Sequence, residues 1–159
     1  MSFLPFACHL MHYDHIAFHY DDQFPADLPQ QHAIHHMGFY FAWAVSQNLH
    51  NPAWEANEDF AKLQQQHMTG SEFLWAHMGA ELTDDDFNEL GNWFSQFYYS
   101  DEEEGYGLFM EDYFVALNLD NEADFYHVAD TASNQATLNP VFQAAFDKWL
   151  ASLKEMQHE

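Results

Sequence analysis

The spacing of apolar residues along the chain predicts a fold built mostly from helices. Between Gln30 and Gln47 apolar residues occur on every side of a helix, which is typical of a buried central helix. A 3.6-residue apolar period runs from Phe87 to Tyr98 and again from Tyr106 to Leu117. The remaining predicted helices cover residues 52–67, 73–78 and 140–153.

Residues that favour helix starts mark the same elements. Asn51-Pro52 and Asn139-Pro140 each combine an N-cap residue with a first-turn proline, and Ser71 is a candidate cap for the short helix after it. Extended chain is indicated only at Ile16–Tyr20 and Phe125–Val128. The sequence therefore predicts a mainly α fold of five or six helices with at most a short strand pair.

The length and composition favour one folded domain. The chain has 159 residues, of which 48% are hydrophobic and 18% aromatic, so it has enough apolar side chains for a sizeable core. We find no internal repeat and no long Pro/Gly/Ser linker. We therefore expect residues 1–12 to be an N-terminal extension and residues 13–159 to form a single compact helical domain.

The charge excludes whole classes of partner. Asp and Glu number 26, against three Lys and no Arg, which gives a formal net charge of −23. Binding to nucleic-acid phosphates or to an anionic membrane surface needs basic side chains, so we expect neither. Cys8 is the only cysteine, there is no basic leader and no apolar run of membrane-spanning length. We expect a cytoplasmic protein.

The acidic residues are concentrated in the middle of the chain. Between Leu63 and Asp147 there are 17 carboxylates and no Lys or Arg. Unbalanced negative charge lowers stability because the carboxylates repel one another. We therefore expect the negative field to have a function, which is to attract a basic partner. The predicted contact surface consists of Asp101, Glu102, Glu103, Glu104, Glu111 and Asp112, then Asp84, Asp85, Asp86 and Glu89, with Tyr98, Tyr99 and Tyr106 as aromatic anchors.

Histidines provide the other candidate chemistry. His9, His12, His15 and His19 would share one face of a helix, but their segment resembles a strand or loop equally well. His32 and His36 have the i, i+4 spacing of helical zinc ligands without the glutamate of a metalloprotease motif, and a buried, hydrogen-bonded His36 is the favoured interpretation. No nucleophile elbow, EF-hand loop or phosphate loop is present, so we predict a protein that is not an enzyme and needs no cofactor.

Several short motifs in order resemble those of a known family. They are Tyr13-Asp14 with His19, residues 24–29 (Phe-Pro-Ala-Asp-Leu-Pro), His36-Met37-Gly38, Phe41-Ala42-Trp43, Thr69-Gly70, Phe73-Leu74, Tyr98-Tyr99, Asp112-Tyr113, Tyr126-His127-Val128 with Asp130, and Phe146 with Trp149. This order resembles an uncharacterised family of small bacterial cytoplasmic proteins often found near toxin genes. Such proteins are similar to immunity proteins, and the resemblance implies that the chain neutralises a companion toxin by binding it.

Three hypotheses follow. The leading one is an acidic immunity-type inhibitor that blocks a cognate bacterial toxin, such as a nuclease, whose active-site cleft is basic. The first alternative is a metal-dependent enzyme, and the second is a protein that mimics DNA towards a host DNA-binding protein. The ligands of the metal-dependent alternative are His19, His32, His36 and His127 with Asp14 or Asp27.

Overall fold

A buried helix lies at the centre of the fold, as predicted. The structure is a computed structural model that describes residues 11–99 and 107–157. The α-helices in these ranges are α1 (His35–Ser46), α2 (Phe60–Gln64), α3 (Gly70–His77), α4 (Glu89–Tyr98), α5 (Gly107–Ala116), α6 (Glu122–His127) and α7 (Ala132–Gln157). Short 3₁₀ turns occupy Ile16–Phe18, Gln30–Ile34, Pro52–Ala56 and Asp84–Asp86. The mainly α prediction is confirmed.

Helix α1 is covered by α2, α3 and α7. Its side chains are buried almost throughout, which explains why the sequence shows apolar residues on every side. Aromatic rings fill the contacts: Phe41 stacks on Phe73 of α3 at a centroid distance of 6.3 Å, and Trp43 meets Phe142 of α7 edge-on at 5.9 Å. The core therefore consists of one helix surrounded by aromatic side chains.

Two glycines let α1 and α3 approach closely. A Cβ atom built on Gly38 would overlap the backbone of Ser71, and one built on Gly70 would overlap the Gly38 carbonyl group. Thr69 caps α3 with a reciprocal capping box, in which its Oγ1 accepts from the Glu72 N–H while the Glu72 side chain accepts from the Thr69 N–H. Thr69, and not Ser71, is thus the helix cap.

The described residues form one short antiparallel strand pair. Strand β1 (His12–His15) pairs with β2 (Glu81–Thr83), with Asp14 opposite Leu82. The register is irregular between His12 and Asp14, so that Tyr13 and Asp14 are both buried although they are neighbours. Residues 16–20, predicted as extended, begin with a 3₁₀ turn, and the strand is formed by the residues just before them, in β1.

Two predicted helices have wrong boundaries, and one segment predicted as extended is helical. The segment predicted as one helix over 52–67 is interrupted at Asn57, whose backbone is extended and whose Oδ1 accepts from the Asp59 N–H. Residues 125–128, predicted as extended, mostly belong to α6. The last helix begins at Ala132, with Pro140 inside it, because helical residues before a proline are disfavoured but not forbidden. None of the described helices is both long and apolar enough to cross a lipid bilayer.

Candidate functional site

A buried carboxylate on β1 collects hydrogen bonds from three other elements. Asp14 Oδ1 accepts from the His15 N–H at 2.9 Å and from His19 Nε2 at 2.7 Å. Its Oδ2 accepts from His36 Nε2 at 2.8 Å and from the Tyr99 hydroxyl at 2.6 Å. Asp14 and Tyr99 have no exposed surface, and His36 is 1% exposed. We call the set Asp14, His19, His36, Tyr99 and Tyr126 the Asp14 network.

The hydrogen bonds determine which nitrogen atoms carry protons. An ionised carboxylate can only accept, so both histidines donate through Nε2. His19 Nδ1 lies 2.7 Å from the Tyr126 hydroxyl, and the protonation of Nδ1 decides which of the two groups donates. Through Nε2, His19 donates to Asp14. This chain of hydrogen bonds connects a half-buried tyrosine to a fully buried carboxylate.

The network holds an ionised carboxylate in the protein interior. Burial by itself raises the pKa of Asp14, but the electrostatic interactions and hydrogen bonds with His36 and His19 outweigh it and hold that pKa below its usual range. Burial lowers the pKa of His36 to about 4, with the neighbouring His19 acting in the same direction. At neutral pH the network thus contains an ionised Asp14 beside a neutral His36.

A second pair of histidines fixes the end of α6. His32 Nδ1 donates to the Tyr126 carbonyl at 2.7 Å, and His35 Nδ1 donates to the Val128 carbonyl at 2.8 Å. Burial lowers the pKa of His35, while its hydrogen bond to the Val128 carbonyl acts in the opposite direction. The two rings lie 4.3 Å apart. Because Tyr126 lies between them and His19, this pair positions the outer end of the Asp14 network.

One group within the described ranges has the composition of a metal site. Ligand atoms of Asp14, His19 and His36 all lie within 4.8 Å of one another. The Nε2–carboxylate distances of 2.7 and 2.8 Å are those of hydrogen bonds, whereas ligands of a tetrahedral zinc ion lie roughly 3.3 Å apart. A metal would therefore have to replace the two Nε2 protons and separate the side chains slightly.

The structure places the predicted contact residues in three different environments. Asp85, Glu89 and Glu111 are exposed, while Asp84 and Asp112 are half-buried. Asp86, Tyr98 and Tyr99 are buried. The other predicted residues, Asp101, Glu102, Glu103, Glu104 and Tyr106, lie outside the described ranges.

The burial of Asp86, Tyr98 and Tyr99 corrects the predicted contact surface. Asp86 Oδ2 accepts from the Thr83 N–H at 2.8 Å in a capping box, and burial raises the pKa of Asp86 to about 6. The Tyr98 hydroxyl donates to Asp112 Oδ2 at 2.6 Å, and Tyr99 belongs to the Asp14 network. These three side chains are occupied inside the fold, so they cannot anchor a partner on its surface.

The metal-ligand set of the alternative hypothesis is brought together only in part. Asp14, His19 and His36 converge, whereas His32 bonds the Tyr126 carbonyl. His127 Nε2 lies 3.4 Å from Asp27 Oδ2 on the exposed side of α6. The proposed set therefore separates into a buried group of three, an exposed pair, and His32, which bonds the backbone of α6.

The Asp14 network borders a pocket at the surface. Its volume is about 530 Å³, and it lies between the turn after β1 and helices α5 and α6. His19 and Tyr126 line it, together with aromatic side chains and the carboxylates of Asp21 and Glu122. Sequence reasoning missed both this pocket and Tyr99's role, although Asp14, His19 and Tyr126 had each appeared among the motifs.

A family model matches most of the chain. The model of a family described as "Domain of unknown function (DUF7832)" matches residues 12–128. The chain belongs to this family. No curated protein and no solved structure matches the chain. The family segment extends from the start of β1 to just beyond α6 and contains the whole Asp14 network, whereas α7 follows it. Membership of an uncharacterised family is as predicted, and the link to immunity proteins stays a prediction.

Proposed function

We propose that this protein is an acidic immunity-type inhibitor that binds a cognate bacterial toxin and covers its basic surface. The supporting observation is the lack of counter-charge. Among the described residues a single Lys–carboxylate ion pair forms, between Lys62 and Asp59 at 3.0 Å. The remaining ion pairs in these ranges involve histidines, which are charged only when protonated. The negative surface is thus left available to a basic partner.

The exposed aromatic side chains of α4 extend this argument. Glu89, Trp93 and Phe97 follow one another at intervals of four residues, so they share one face of the helix. Trp93 is 53% exposed and Phe97 is 47% exposed. Large exposed aromatics beside carboxylates are typical of binding surfaces, where they act as anchors. We call Asp85, Glu89, Trp93 and Phe97 the α4 face, and it takes the role first predicted for Tyr98 and Tyr99.

Charge reversal on the α4 face tests the proposal. A candidate toxin chosen from the neighbouring genes is co-expressed with each variant, growth is followed, and affinity is measured by titration at low and high salt. Asp85→Lys with Glu89→Lys should weaken binding by about 10- to 100-fold and abolish protection, because attraction becomes repulsion. Trp93→Ala should weaken it by about 30-fold if the ring is a hot spot.

The matched control reverses two exposed carboxylates elsewhere. Glu58→Lys with Asp120→Lys changes the net charge by the same amount, at exposed positions that are not part of the α4 face. This variant should keep nearly wild-type affinity. Equal losses of affinity in both double variants would show that only total charge matters and would refute the α4 face as the contact surface. Absence of toxin binding by the wild-type protein would refute the inhibitor function itself.

A metal-dependent enzyme is the second candidate, favoured by the convergence of Asp14, His19 and His36 next to a pocket. This function requires close to one metal ion per chain in protein purified without an affinity tag. His36→Ala should then lose the metal, while His12→Ala, which changes an exposed histidine, should keep it. Substoichiometric zinc, nickel, iron and manganese in the wild-type protein would rule this candidate out.

A further inference from the structure

The pocket beside the Asp14 network has carboxylates at its edge and aromatic walls. Asp21, in the turn after β1, and Glu122, in the first turn of α6, are exposed residues that line it. Phe18, Phe114 and Tyr126 supply ring surfaces. Its volume of about 530 Å³ lies within the range of small-ligand sites. The pocket is thus large enough to take a whole side chain of a partner.

The electrostatics of the pocket favour a cation. No lysine is among the lining residues, and the one basic side chain there, His19, already bonds Asp14 and Tyr126. Two carboxylates, Asp21 and Glu122, line the pocket, and His19 links it to the buried carboxylate of Asp14 at 2.7 Å. An anionic ligand would be repelled.

The aromatic walls select among cations. Phe18 is 58% exposed, an unusual position for a phenylalanine, and Phe114 is half-buried beside the stacked ring of Phe125 at 5.8 Å. A metal ion such as Ca²⁺ requires six or more oxygen ligands and gains nothing from apolar walls. A guanidinium group is planar and weakly hydrated, stacks on aromatic faces, and pairs with carboxylates through its fork of N–H donors.

Tyr126 adds a directed contact. Its hydroxyl oxygen has two lone pairs, and whichever group donates in the 2.7 Å contact with His19, at least one of them can accept from a ligand in the pocket. The backbone at Tyr126 is held by His32, and the hydroxyl is held by His19. The acceptor is thereby fixed before any ligand arrives, which lowers the entropic cost of binding.

We propose that this pocket binds the guanidinium group of an arginine side chain presented by a protein or peptide. Asp21 and Glu122 pair with the charge, Phe18 and Phe114 cover the faces of the group, and Tyr126 accepts a hydrogen bond at the inner end. A free amino acid fits less well, because its α-carboxylate would approach the same carboxylates. This site is distinct from the α4 face and does not depend on the proposed inhibitor function.

The test uses small probes, so that no partner needs to be known. Backbone amide shifts are followed by NMR during titration with N-acetyl-L-arginine amide, with the neutral citrulline analogue, and with free arginine. The capped arginine should bind in the millimolar range and shift amides around Phe18 and Ala123. The citrulline analogue should bind much more weakly. Equal binding of both capped probes would overturn the role of charge, and tighter binding of free arginine would overturn the peptide source.

Variants of the lining carboxylates locate the site. Asp21→Asn with Glu122→Gln should weaken binding of the capped arginine by about five- to tenfold, as expected for two partly solvated ion pairs. The control, Asp120→Asn with Glu155→Gln, makes the same chemical changes at exposed positions outside the pocket and should leave affinity unchanged. Equal losses in both variants, or no binding by wild type, would refute the pocket assignment. Toxin binding is measured separately, so either proposal can fail alone.

Discussion

Replacement of Asp14 by asparagine is expected to lower the free energy of unfolding by about 3–5 kcal/mol, the usual cost of breaking a buried charged network. The Asp14 carboxylate accepts four hydrogen bonds, and two of the donors are the Nε2–H groups of His19 and His36. In asparagine an NH2 group replaces Oδ1 or Oδ2, so that two hydrogen-bond donors would point at each other. The side chain is fully buried, so water cannot relieve this conflict.

Urea unfolding at pH 7 measures this effect. Tyr99→Phe, which removes one donor to the carboxylate, should lose about 1.5–3 kcal/mol, and Asp120→Asn on the surface should change stability by less than about 0.5 kcal/mol. The pKa of folded Asp14 lies below its ordinary value of 3.8. The stabilisation by the carboxylate is therefore complete above that pH and is lost as the pH falls below it. A loss under about 1 kcal/mol at pH 7 would contradict the proposed network.

Replacement of Gly38 by alanine is expected to destabilise the protein by about 3 kcal/mol, the upper range for inserting atoms into a packed core. Helix propensity alone predicts the opposite sign, since alanine in a helix interior is favoured over glycine by about 1 kcal/mol. The tertiary contact decides, because the new methyl group would overlap the backbone of Ser71 in α3. Neither backbone can move without separating α1 from α3.

A second glycine gives the control. Gly79 follows α3 with a φ of +67°, and a Cβ atom there would meet nothing within 4 Å. Gly79→Ala therefore carries only backbone strain, about 1 kcal/mol. Thermal and urea unfolding of both variants separates the steric overlap expected at Gly38 from the backbone strain expected at Gly79. Stabilisation of the protein by Gly38→Ala would mean that α1 and α3 do not pack as described.

Elements with long, regular patterns were predicted well from the sequence, and elements with a competing local signal were not. Helices α1, α4 and α5 follow from apolar periodicity, because a repeating stripe reports burial directly. Asn139-Pro140 resembles a helix start but lies inside α7. There Gln135 Nε2 bonds both the Phe39 carbonyl and Asn139 Oδ1, a contact with α1 that no local pattern contains.

The contact surface shows the same limit. Tyr98 and Tyr99 were predicted as aromatic anchors of the contact surface, yet both are fully buried. The exposed rings of α4 are Trp93 and Phe97. A helix that is apolar on more than one side does not show in its sequence which side meets the core, since that depends on where α5 and α7 pack.

The sequence by itself determined the helical class, the single domain-sized core and the strong excess of negative charge, because these depend on composition and on short periodic spacing. Only the tertiary structure decided the chemistry. The side chains of the Asp14 network come from positions 14, 19, 36, 99 and 126, and hydrogen bonds between positions so far apart obey no spacing rule. Their meeting depends on how β1, α1, α4 and α6 pack, and packing is a property of the whole chain.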